Sequence, residues 1–356
     1  MSSFGKNIKF MIFGESHGKG IGVVIENLPA GLTLDMDKIK KDMIRRAPTK
    51  NDWSTKRSET DEVEIISGLF EGKLTGAPLC GMIKNTDTKS KDYSDLKIKP
   101  RPGHADYTAQ FKYNNHQDFR GGGHFSGRLT APIVFAGAVA KQVLRKYGIS
   151  IGAHILNIGG QKDVAFNPIN PDFSGICDKS FPVIDDKLGL KMQDIIKSTS
   201  KNLDSVGGSI ECAIKGIMPG IGGPLFSGLE GNISSAIFGI PAVKGITFGQ
   251  IKDTMLGSDF NDEYYYQGDE VKTKTNNCGG ILGGISNGMP IIFTANFKPT
   301  PSIAKEQDTV DLHNKENTKL KIHGRHDACI LPRAVVVVEA VSALVILDEI
   351  INVERI

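Results

Sequence analysis

Three short stretches of the sequence combine histidine with glycine and charged residues, the residue types that transfer protons and bind anions. The first, residues 14–20 (GESHGKG), holds His17 in a glycine-flanked turn directly before an apolar run. Glycine lets the backbone approach a ligand closely, and imidazole exchanges protons near neutral pH. This turn predicts either a proton-transferring histidine or a glycine-rich hairpin with an incidental one.

The second stretch, residues 101–107 (RPGHADY), places a guanidinium, an imidazole and a carboxylate around a rigid Pro-Gly turn. Arg101 suits a phosphate or carboxylate, which a guanidinium binds through two parallel hydrogen bonds. His104 is a candidate proton donor to a leaving group. The alternative is a surface turn in which an Arg–Asp ion pair has only a structural role.

The third stretch, residues 119–130 (FRGGGHFSGRLT), has three glycines flanked by Arg120 and Arg128 and runs into a predicted helix. The N–H groups and the positive dipole end of a helix N-terminus attract anions, so a phosphate or cofactor contact is expected here. It is not a Walker A loop, because no Gly-Lys-Ser/Thr follows at the required spacing.

Two later segments and one basic run add candidates. Residues 298–302 (KPTPS) form a rigid loop with hydroxyls and a cation, and residues 324–329 (GRHDAC) contain Arg325 and Asp327, either functional residues or a structural ion pair. The RHD fragment occurs in kinase catalytic loops, but the other kinase motifs are missing, which excludes that class. Residues 38–57 are strongly basic. Such a run is either a solvated helix face or a group of cations that binds a multiply anionic ligand.

The elements that must position these residues interleave helices with strands, which indicates a mixed α and β protein without fixing its topology. Long polar loops hold most of the histidines, and loops of such length are usually functional or disordered. Helices are predicted over residues 35–46, 130–147, 187–202 and 334–351; strands over residues 20–28, 63–72, 209–217 and 290–297; and long loops over residues 48–60, 84–128, 257–284 and 298–327.

Composition narrows the class of protein. Of the 356 residues 41 are glycine, well above the typical share of about 7%. A net charge of +3 argues against a nucleic-acid-binding protein. Five scattered cysteines without a CxxC pair predict reduced thiols, with neither disulfides nor a zinc site. No signal-peptide pattern and no sufficiently long apolar segment is visible, which predicts a cytoplasmic protein without a membrane span.

Taken in order, the motifs GESHG, RPGHADY, RGGG-x-x-S-x-R, GGILGGIS-x-G, KPT-x-S and GRHD run through nearly the whole chain. Any one of them is common elsewhere, but the ordered set resembles the chorismate synthase family. The resemblance implies an α+β fold, a β-α-β sandwich with two internally pseudo-repeated halves. It further implies a single domain over residues 1–356 that assembles as a homotetramer.

The resemblance also implies a reaction. Chorismate synthases are lyases that convert 5-enolpyruvylshikimate 3-phosphate into chorismate and phosphate by an anti 1,4-elimination, the last step of the shikimate pathway of aromatic amino-acid biosynthesis. They require reduced FMN (FMNH2), although the reaction has no net redox change. Because the substrate carries a phosphate and two carboxylates, an arginine-rich site is expected.

Residue roles follow from the matching motifs. By resemblance, His17 protonates the reduced flavin, His104 protonates the departing phosphate, and Asp327 assists removal of the ring proton through flavin N5. Substrate contacts are expected from Ser16, His17, Arg45, Arg46, Arg57, Arg101, Arg128 and Arg325. FMN contacts are expected from His104, His124, Phe125, Ser126, Pro241, Ala242, Gly283, Lys298, Pro299, Thr300, Pro301, Ser302 and Arg325. No metal is implied.

This chain departs from the common family pattern in three places. After the triple glycine it reads HFSGRL where many members read RSSARE, which removes a cation and a carboxylate near the flavin or the phosphate. Residues 276–278 read NNC in place of Asn-His-Ala, and Asp52 replaces a common arginine, which weakens a contact with reduced nicotinamide (NADPH) near Arg46. Without a long insertion, FMN reduction is expected from another protein or the reduced flavin pool.

Two other functions compete with this interpretation. A non-catalytic nucleotide- or RNA-binding module would use the glycine-rich loops and the basic run, and it would bind oligonucleotides in a salt-dependent way. The near-neutral charge and the lack of aromatic–basic stacking motifs argue against it. An FMN-dependent oxidoreductase would instead couple steady consumption of reduced nicotinamide to a substrate.

Overall fold

The computed structural model describes residues 2–48, 51, 61–86, 96–251, 254–322 and 326–353. Its strands are β1 (Ser3–Phe4), β2 (Phe10–Gly14), β3 (Gly20–Ile25), β4 (Glu64–Ser67), β5 (Leu69–Phe70), β6 (Lys73–Leu74), β7 (Leu79–Lys84), β8 (Ser150–Ile158), β9 (Gln161–Lys162), β10 (Gly208–Lys215), β11 (Val243–Phe248), β12 (Tyr264–Gln267), β13 (Glu270–Thr273), β14 (Ile281–Leu282), β15 (Ile285–Ser286), β16 (Ile291–Phe297), β17 (Gln307–Asp311) and β18 (Glu316–Leu320). Its helices are α1 (Met36–Arg46), α2 (Asp106–Lys112), α3 (Thr130–Leu144), α4 (Asp186–Lys201), α5 (Leu229–Ile237), α6 (Gly257–Phe260) and α7 (Leu331–Val353).

Two five-stranded antiparallel sheets form the outer layers of the fold. The first has the strand order β1-β2-β3-β7-β4, and the second has the order β11-β16-β10-β8-β9. The remaining strands pair in short two-stranded sheets, among them the hairpins β12–β13 and β17–β18. Each half of the chain therefore contributes one large sheet, followed in sequence by one long apolar helix, α3 or α7.

The helices α3 and α7 form the layer between the sheets. α3 packs on β3 and β7 of the first sheet, α7 packs on β8 and β10 of the second, and the two helices pack on each other. Both are largely apolar and are buried around most of their circumference, which is typical of central helices. They approach closely at Gly137, where an added Cβ would lie 2.3 Å from the Cα of Ala340. The predicted β-α-β sandwich is confirmed.

Four predicted helices are present, with their ends explained by local chemistry. α1 begins after Asp35, whose carboxylate accepts a hydrogen bond from the Lys38 N–H at 3.1 Å, as expected of a helix N-cap. α3 continues through one 3₁₀ turn and ends at Gly148, whose φ of 72° favours glycine. α7 begins at Leu331, before the predicted residue 334, because proline at position 332 is tolerated in a first helical turn.

The predicted long loops are wrong in part, because they contain regular elements. Residues 84–128 include α2, residues 257–284 include the hairpin β12–β13, and residues 298–327 include the hairpin β17–β18. These hairpins were missed because both faces of each are largely exposed and polar or aromatic, so they lack the alternation that marks a half-buried strand. The helix α5 was also missed. Within the described ranges, no helix has the length and apolarity needed to cross a bilayer.

Candidate active site

A cleft of about 570 Å³ opens beside the first turn of α7, within the size range of ligand pockets. The C-terminal end of α1, the loop before α2, the glycine-rich segment and the loop after β16 also form its walls. Among the described residues that line it, Asp327 is the one carboxylate. The cations that line it are Arg46, Arg101, Arg128, Lys244, Lys298 and Arg333. The cleft therefore has the charge expected of a site for a multiply anionic ligand.

Arg101 and His104 are both anchored by Asp106. Arg101 donates two hydrogen bonds to the Asp106 carboxylate, from Nε at 2.7 Å and from Nη2 at 2.8 Å. The His104 Nδ1 lies 2.6 Å from Asp106 Oδ1. Burial acts to raise the pKa of Asp106, but the hydrogen bonds from Arg101 and His104 outweigh it and hold that pKa well below its usual range. The expected Arg–Asp pair is present, but it is buried beside the cleft rather than on a surface turn.

A second ion-pair group joins Arg46, Asp61 and Arg128. The Arg46 Nη1 donates to Asp61 Oδ2 at 2.6 Å, and the Arg128 Nη1 donates to the other carboxylate oxygen, Oδ1. Arg46 also donates from Nε to Thr130 Oγ1 at 3.2 Å and from Nη2 to the Gly127 carbonyl oxygen at 3.1 Å. Burial, together with the nearby cations of Arg333 and Arg128, lowers the pKa of Arg46 to about 10, although Asp61 opposes this.

Arg333 is a cleft residue that the sequence interpretation missed. Its Nη1 donates to Asp327 Oδ2 at 2.6 Å, and its Nε donates to the backbone carbonyl oxygen of Arg46 at 2.9 Å. A cation in the first turn of a helix is opposed by the helix dipole, so Arg333 needs the carboxylate of Asp327 nearby. A basic residue in the first turn of a helix was the sequence feature that could have identified Arg333. It was overlooked because the helix was predicted to begin at residue 334.

The loop after β16 supplies a lysine and two hydroxyls. The Lys298 Nζ donates to the Gly103 carbonyl oxygen at 2.5 Å, and burial and the neighbouring Lys244 lower the pKa of Lys298. Ser302 accepts a hydrogen bond from Arg101 Nη1 at 3.0 Å. The Thr300 Oγ1 is buried and has no hydrogen-bond partner among the described residues. Because buried hydroxyls are nearly always satisfied, Thr300 is suited to a polar group of a bound ligand.

The glycine-rich segment differs from the expected anion-binding helix start. Gly121, Gly122 and Gly123 have φ of 58°, 84° and 53° and lie within the irregular 3₁₀ segment Arg120–Phe125, which a further 3₁₀ turn, Gly127–Leu129, separates from α3. Their N–H groups therefore do not form the N-terminus of that helix, and the dipole argument does not apply to them. Arg120 does not line the cleft either, since it pairs with Asp118 at 2.7 Å.

Ser16 and His17 lie directly behind this segment. The Ser16 hydroxyl donates to the Gly121 carbonyl oxygen at 3.1 Å, and a Cβ added at Gly121 would lie 2.1 Å from the His17 ring. Since Gly121 lines the cleft, the residues from the first motif contact its wall without lining it. A side chain larger than glycine has no room at this contact.

His124 is the first residue of the segment HFSGRL, where the chain departs from the sequence common in the family that it resembles. Its Nδ1 lies 2.8 Å from the Gly14 carbonyl oxygen, and its Nε2 lies 2.6 Å from the Ser2 hydroxyl. It thereby ties the cleft wall to the N-terminal sheet. The second departure, at residues 276–278, is not part of the cleft lining, and Asn276 donates to the carbonyl oxygens of Pro168 and Pro290.

The cleft brings together most of the predicted site residues, from segments far apart in sequence. Those that line it are Arg46, Arg101, His104, His124, Phe125, Ser126, Arg128, Pro241, Ala242, Lys298, Thr300, Pro301, Ser302 and Asp327. Pro299 and Gly283 are described but are not among the lining residues, and Gly283 lies in the turn between β14 and β15. Arg57, Arg325 and Asp52 lie outside the described residues.

Arg45 points in a different direction from α1 than its neighbour Arg46. It donates to both oxygens of Glu339, each at 2.7 Å, and Lys141 lies 2.6 Å from the same carboxylate. This group lines a separate cavity of about 220 Å³. Successive helical residues point about 100° apart, so α1 sends one arginine into the cleft and the other into this buried ion group.

Comparisons with known proteins agree over nearly the full length. The sequence model of the chorismate synthase family matches residues 8–351. A chorismate synthase of Pyrococcus abyssi (strain GE5 / Orsay) is 45% identical over 352 residues, covering 98% of this chain and 97% of the relative. One of Methanococcus maripaludis (strain C5 / ATCC BAA-1333) is 43% identical over 365 residues, covering 99% and 98%.

A solved structure gives the same result for the fold. The crystal structure of a chorismate synthase superposes with a TM-score of 0.76 at 27% identity, covering 98% of this chain and 93% of that chain. The matches thus extend across both sheets and both central helices, and across every motif that lines the cleft. The chain belongs to the chorismate synthase family.

Proposed function

We propose that the cleft is the active site of this lyase, where phosphate is eliminated from 5-enolpyruvylshikimate 3-phosphate to give chorismate with reduced FMN bound alongside. The observation that carries this proposal is the convergence of four arginines and His104 on one cleft. A phosphate and two carboxylates need several cations with directional donors. Arg46, Arg101 and Arg128 are proposed to bind these groups.

The leaving phosphate needs a proton donor held in place. His104 is proposed to hold that proton, with Asp106 orienting the imidazole through its 2.6 Å contact with Nδ1. The same carboxylate holds Arg101, so the proton donor and a phosphate-binding cation share one anchor. A fixed donor next to a fixed cation lowers the reorganisation needed when the carbon–oxygen bond breaks.

The lining residues fit a flavin mononucleotide. The cleft combines apolar walls from Phe238, Ile240 and Val337 with cations and the buried Thr300 hydroxyl, which lacks a partner among the described residues. The residues proposed to hold the group are Lys298, Thr300, Pro301, Ser302, His124, Phe125, Ser126, Pro241 and Ala242. When bound, the reduced flavin would supply an electron-rich ring and a nitrogen, N5, able to accept the ring proton.

Two further residues are proposed to move protons. Asp327 is proposed to assist removal of the substrate ring proton, acting through flavin N5, and Arg333 orients the Asp327 carboxylate through the 2.6 Å ion pair. His17 donates a proton to the flavin, and its contact with Gly121 puts it at the cleft wall. Contacts from Ser16, Arg45, Gly283, Pro299, Arg57 and Arg325 stay predictions of the family pattern.

The cellular location, the oligomeric state and the source of reduced FMN are proposed from the family and from the exposed side chains. A cytoplasmic homotetramer is proposed from the family. Large apolar side chains that the single chain leaves in solvent, such as Phe226 at 99% exposure and Leu225 at 87%, support association with further copies. Reduced FMN comes from a separate reductase or the reduced flavin pool. A nicotinamide contact near Arg46 is not part of the proposal, because Asp52 replaces the common arginine.

The test is chorismate formation from 5-enolpyruvylshikimate 3-phosphate under anaerobic conditions with dithionite-reduced FMN. We expect one phosphate released per chorismate, and no turnover with oxidised FMN alone. Folded protein without turnover would contradict the proposed function. Steady consumption of reduced nicotinamide in proportion to product would instead identify an oxidoreductase.

A further inference from the structure

Asp61 is a buried carboxylate that holds two arginines of the cleft at once, although no motif pointed to it. We propose that Asp61 is the positioning residue that sets the Arg46 and Arg128 guanidinium groups for the anionic groups of the substrate. This inference rests on the proposed function of the cleft. It concerns how the anion-binding geometry is built.

Each carboxylate oxygen of Asp61 accepts a hydrogen bond from one arginine. Oδ2 accepts from Arg46 Nη1 at 2.6 Å, and Oδ1 accepts from Arg128 Nη1. Because both oxygens belong to one rigid group, the two guanidinium groups are fixed relative to each other. Arg46 comes from α1 and Arg128 from the turn before α3, so the carboxylate also links two elements.

The side chain of Asp61 is 0% exposed, which decides the kind of role it has. A carboxylate without exposed surface does not contact a ligand in the cleft, so it acts through the arginines. Thr130 Oγ1 and the Gly127 carbonyl oxygen accept from two further N–H groups of Arg46, on Nε and Nη2, and within the described residues two of its five N–H groups remain for a ligand. Together these acceptors determine the orientation of Arg46 before any ligand binds.

Charge explains why a carboxylate is required at this point. Arg46 is buried, and the cations of Arg333 and Arg128 near it lower its pKa. Burial acts to raise the pKa of Asp61, but the two arginines outweigh it and lower that pKa. The carboxylate therefore stays ionised and offsets the repulsion between buried guanidinium groups.

Two explanations of Asp61 predict opposite changes in affinity. If Asp61 only balanced charge, its removal would leave the cleft more positive and anions would bind more tightly. If it positions the arginines, its removal lets them turn away from the productive geometry, and anions bind more weakly. Asp61→Asn separates the two, because the amide keeps the shape but directs an NH₂ group at one of two guanidinium donors.

The experiment compares Asp61→Asn and Asp61→Glu with the wild-type enzyme and with Asp163→Asn. Asp163 is also a buried carboxylate, but it accepts hydrogen bonds from the backbone N–H groups of Ile184 and Asp185, and it lies outside the cleft lining. KM for the phosphorylated substrate, kcat with reduced FMN and Tm are measured for each. Asp163→Asn is expected to lower Tm and leave KM unchanged.

For Asp61→Asn we expect KM to rise by about 10-fold or more, the loss typical of a broken charged hydrogen bond, and by a larger factor than kcat falls. Asp61→Glu keeps the charge but displaces the carboxylate, so its KM is expected to lie between those of the wild-type enzyme and Asp61→Asn. Combining Asp61→Asn with Arg128→Lys is expected to raise KM less than the product of the single effects.

A wild-type or lowered KM in Asp61→Asn, with Tm reduced as in Asp163→Asn, overturns the inference. If Asp61→Asn does not fold, Asp61→Glu decides, and a wild-type KM there overturns it as well. Stabilisation by inorganic phosphate, measured as a rise in Tm, distinguishes failure of the positioning role of Asp61 from failure of the proposed function of the cleft. Suppose that the wild-type chain forms no chorismate but that inorganic phosphate raises its Tm. If Asp61→Asn no longer shows this rise in Tm, the positioning role is still supported. If Asp61→Asn shows the same rise, the positioning role is contradicted.

Discussion

The guanidinium of Arg333 lies 2.6 Å from the carboxylate of Asp327, measured from Nη1 to Oδ2. The same guanidinium donates from Nε to the backbone carbonyl oxygen of Arg46, which is the last residue of α1. Arg333 therefore links the first turn of the central helix α7 to two separate parts of the cleft wall. It contacts both Asp327, which is proposed to assist proton removal, and the C-terminal end of α1.

Replacing Arg333 with methionine removes this link while keeping a long apolar stem. We expect kcat to fall by about 10- to 100-fold, because Asp327 loses its charged hydrogen-bond partner and its orientation. Anaerobic turnover and thermal unfolding measure the effect. Arg145→Met is the control, since Arg145 is exposed and lies outside the cleft lining. A folded Arg333→Met enzyme with wild-type kcat would contradict the orienting role.

Replacing His104 with alanine tests the proposed proton donor to the departing phosphate. We expect kcat to fall by about 100-fold or more, the usual contribution of a general acid. The KM for the substrate is expected to change less, because Arg101 keeps its carboxylate anchor on Asp106. His313→Ala, at an exposed turn, is the control. Wild-type turnover in His104→Ala would remove its assigned role.

Two glycines of the same segment differ in their contact with His17, and Gly121 also has a positive φ of 58°, at which an alanine is itself strained. At Gly121 an added Cβ would lie 2.1 Å from the His17 ring, whereas at Gly127 nothing lies within 4 Å. Gly121→Ala is therefore expected to displace His17 and lower kcat by about 10-fold or more, approaching the effect of His17→Ala. Gly127→Ala is expected to retain turnover. Equal activity of the two alanine variants would show that the His17 position is unimportant.

The ion pairs of Asp106 predict a pH-dependent contribution to stability. The pKa of Asp106 is lower in the folded chain than in the unfolded chain, so the unfolded state binds a proton first as the pH falls. The stabilisation is full above the unfolded value of about 4 and is lost as the pH falls below it toward the folded value. Urea unfolding of wild type and Asp106→Asn should therefore differ most at neutral pH and converge in acid. A constant difference across pH 3–7 would contradict this.

The closest approach of the central helices can be tested with a second pair of glycines. Gly137→Ala places a methyl group 2.3 Å from Ala340 Cα, so we expect the free energy of unfolding to fall by about 1–3 kcal/mol, as in overpacked cores. Gly231 lies in α5 with nothing within 4 Å of an added Cβ. Gly231→Ala is expected to increase stability by up to about 1 kcal/mol. Denaturant unfolding measures both, and a neutral Gly137→Ala would contradict the close packing.

The sequence by itself determined the elements with strong local signals and the identity of the family. The Asp35 cap, the Gly148 stop and the apolar pattern of α7 specify helices through interactions within a few residues. The ordered motifs identified the family because many short matches in one order rarely arise together. Local patterns could not reveal the exposed hairpins β12–β13 and β17–β18, whose side chains lack a buried face.

Only the tertiary structure decided which charged residues meet across distant segments or on one side of a helix. Arg45 and Arg46 are neighbours with the same chemistry, yet the direction of each side chain on α1 sends one to Glu339 and the other to Asp61. Arg333 and Asp61 belong to no motif and were found only through their contacts. Ion pairs between distant segments depend on how the sheets and helices pack, and a linear pattern holds no record of those distances.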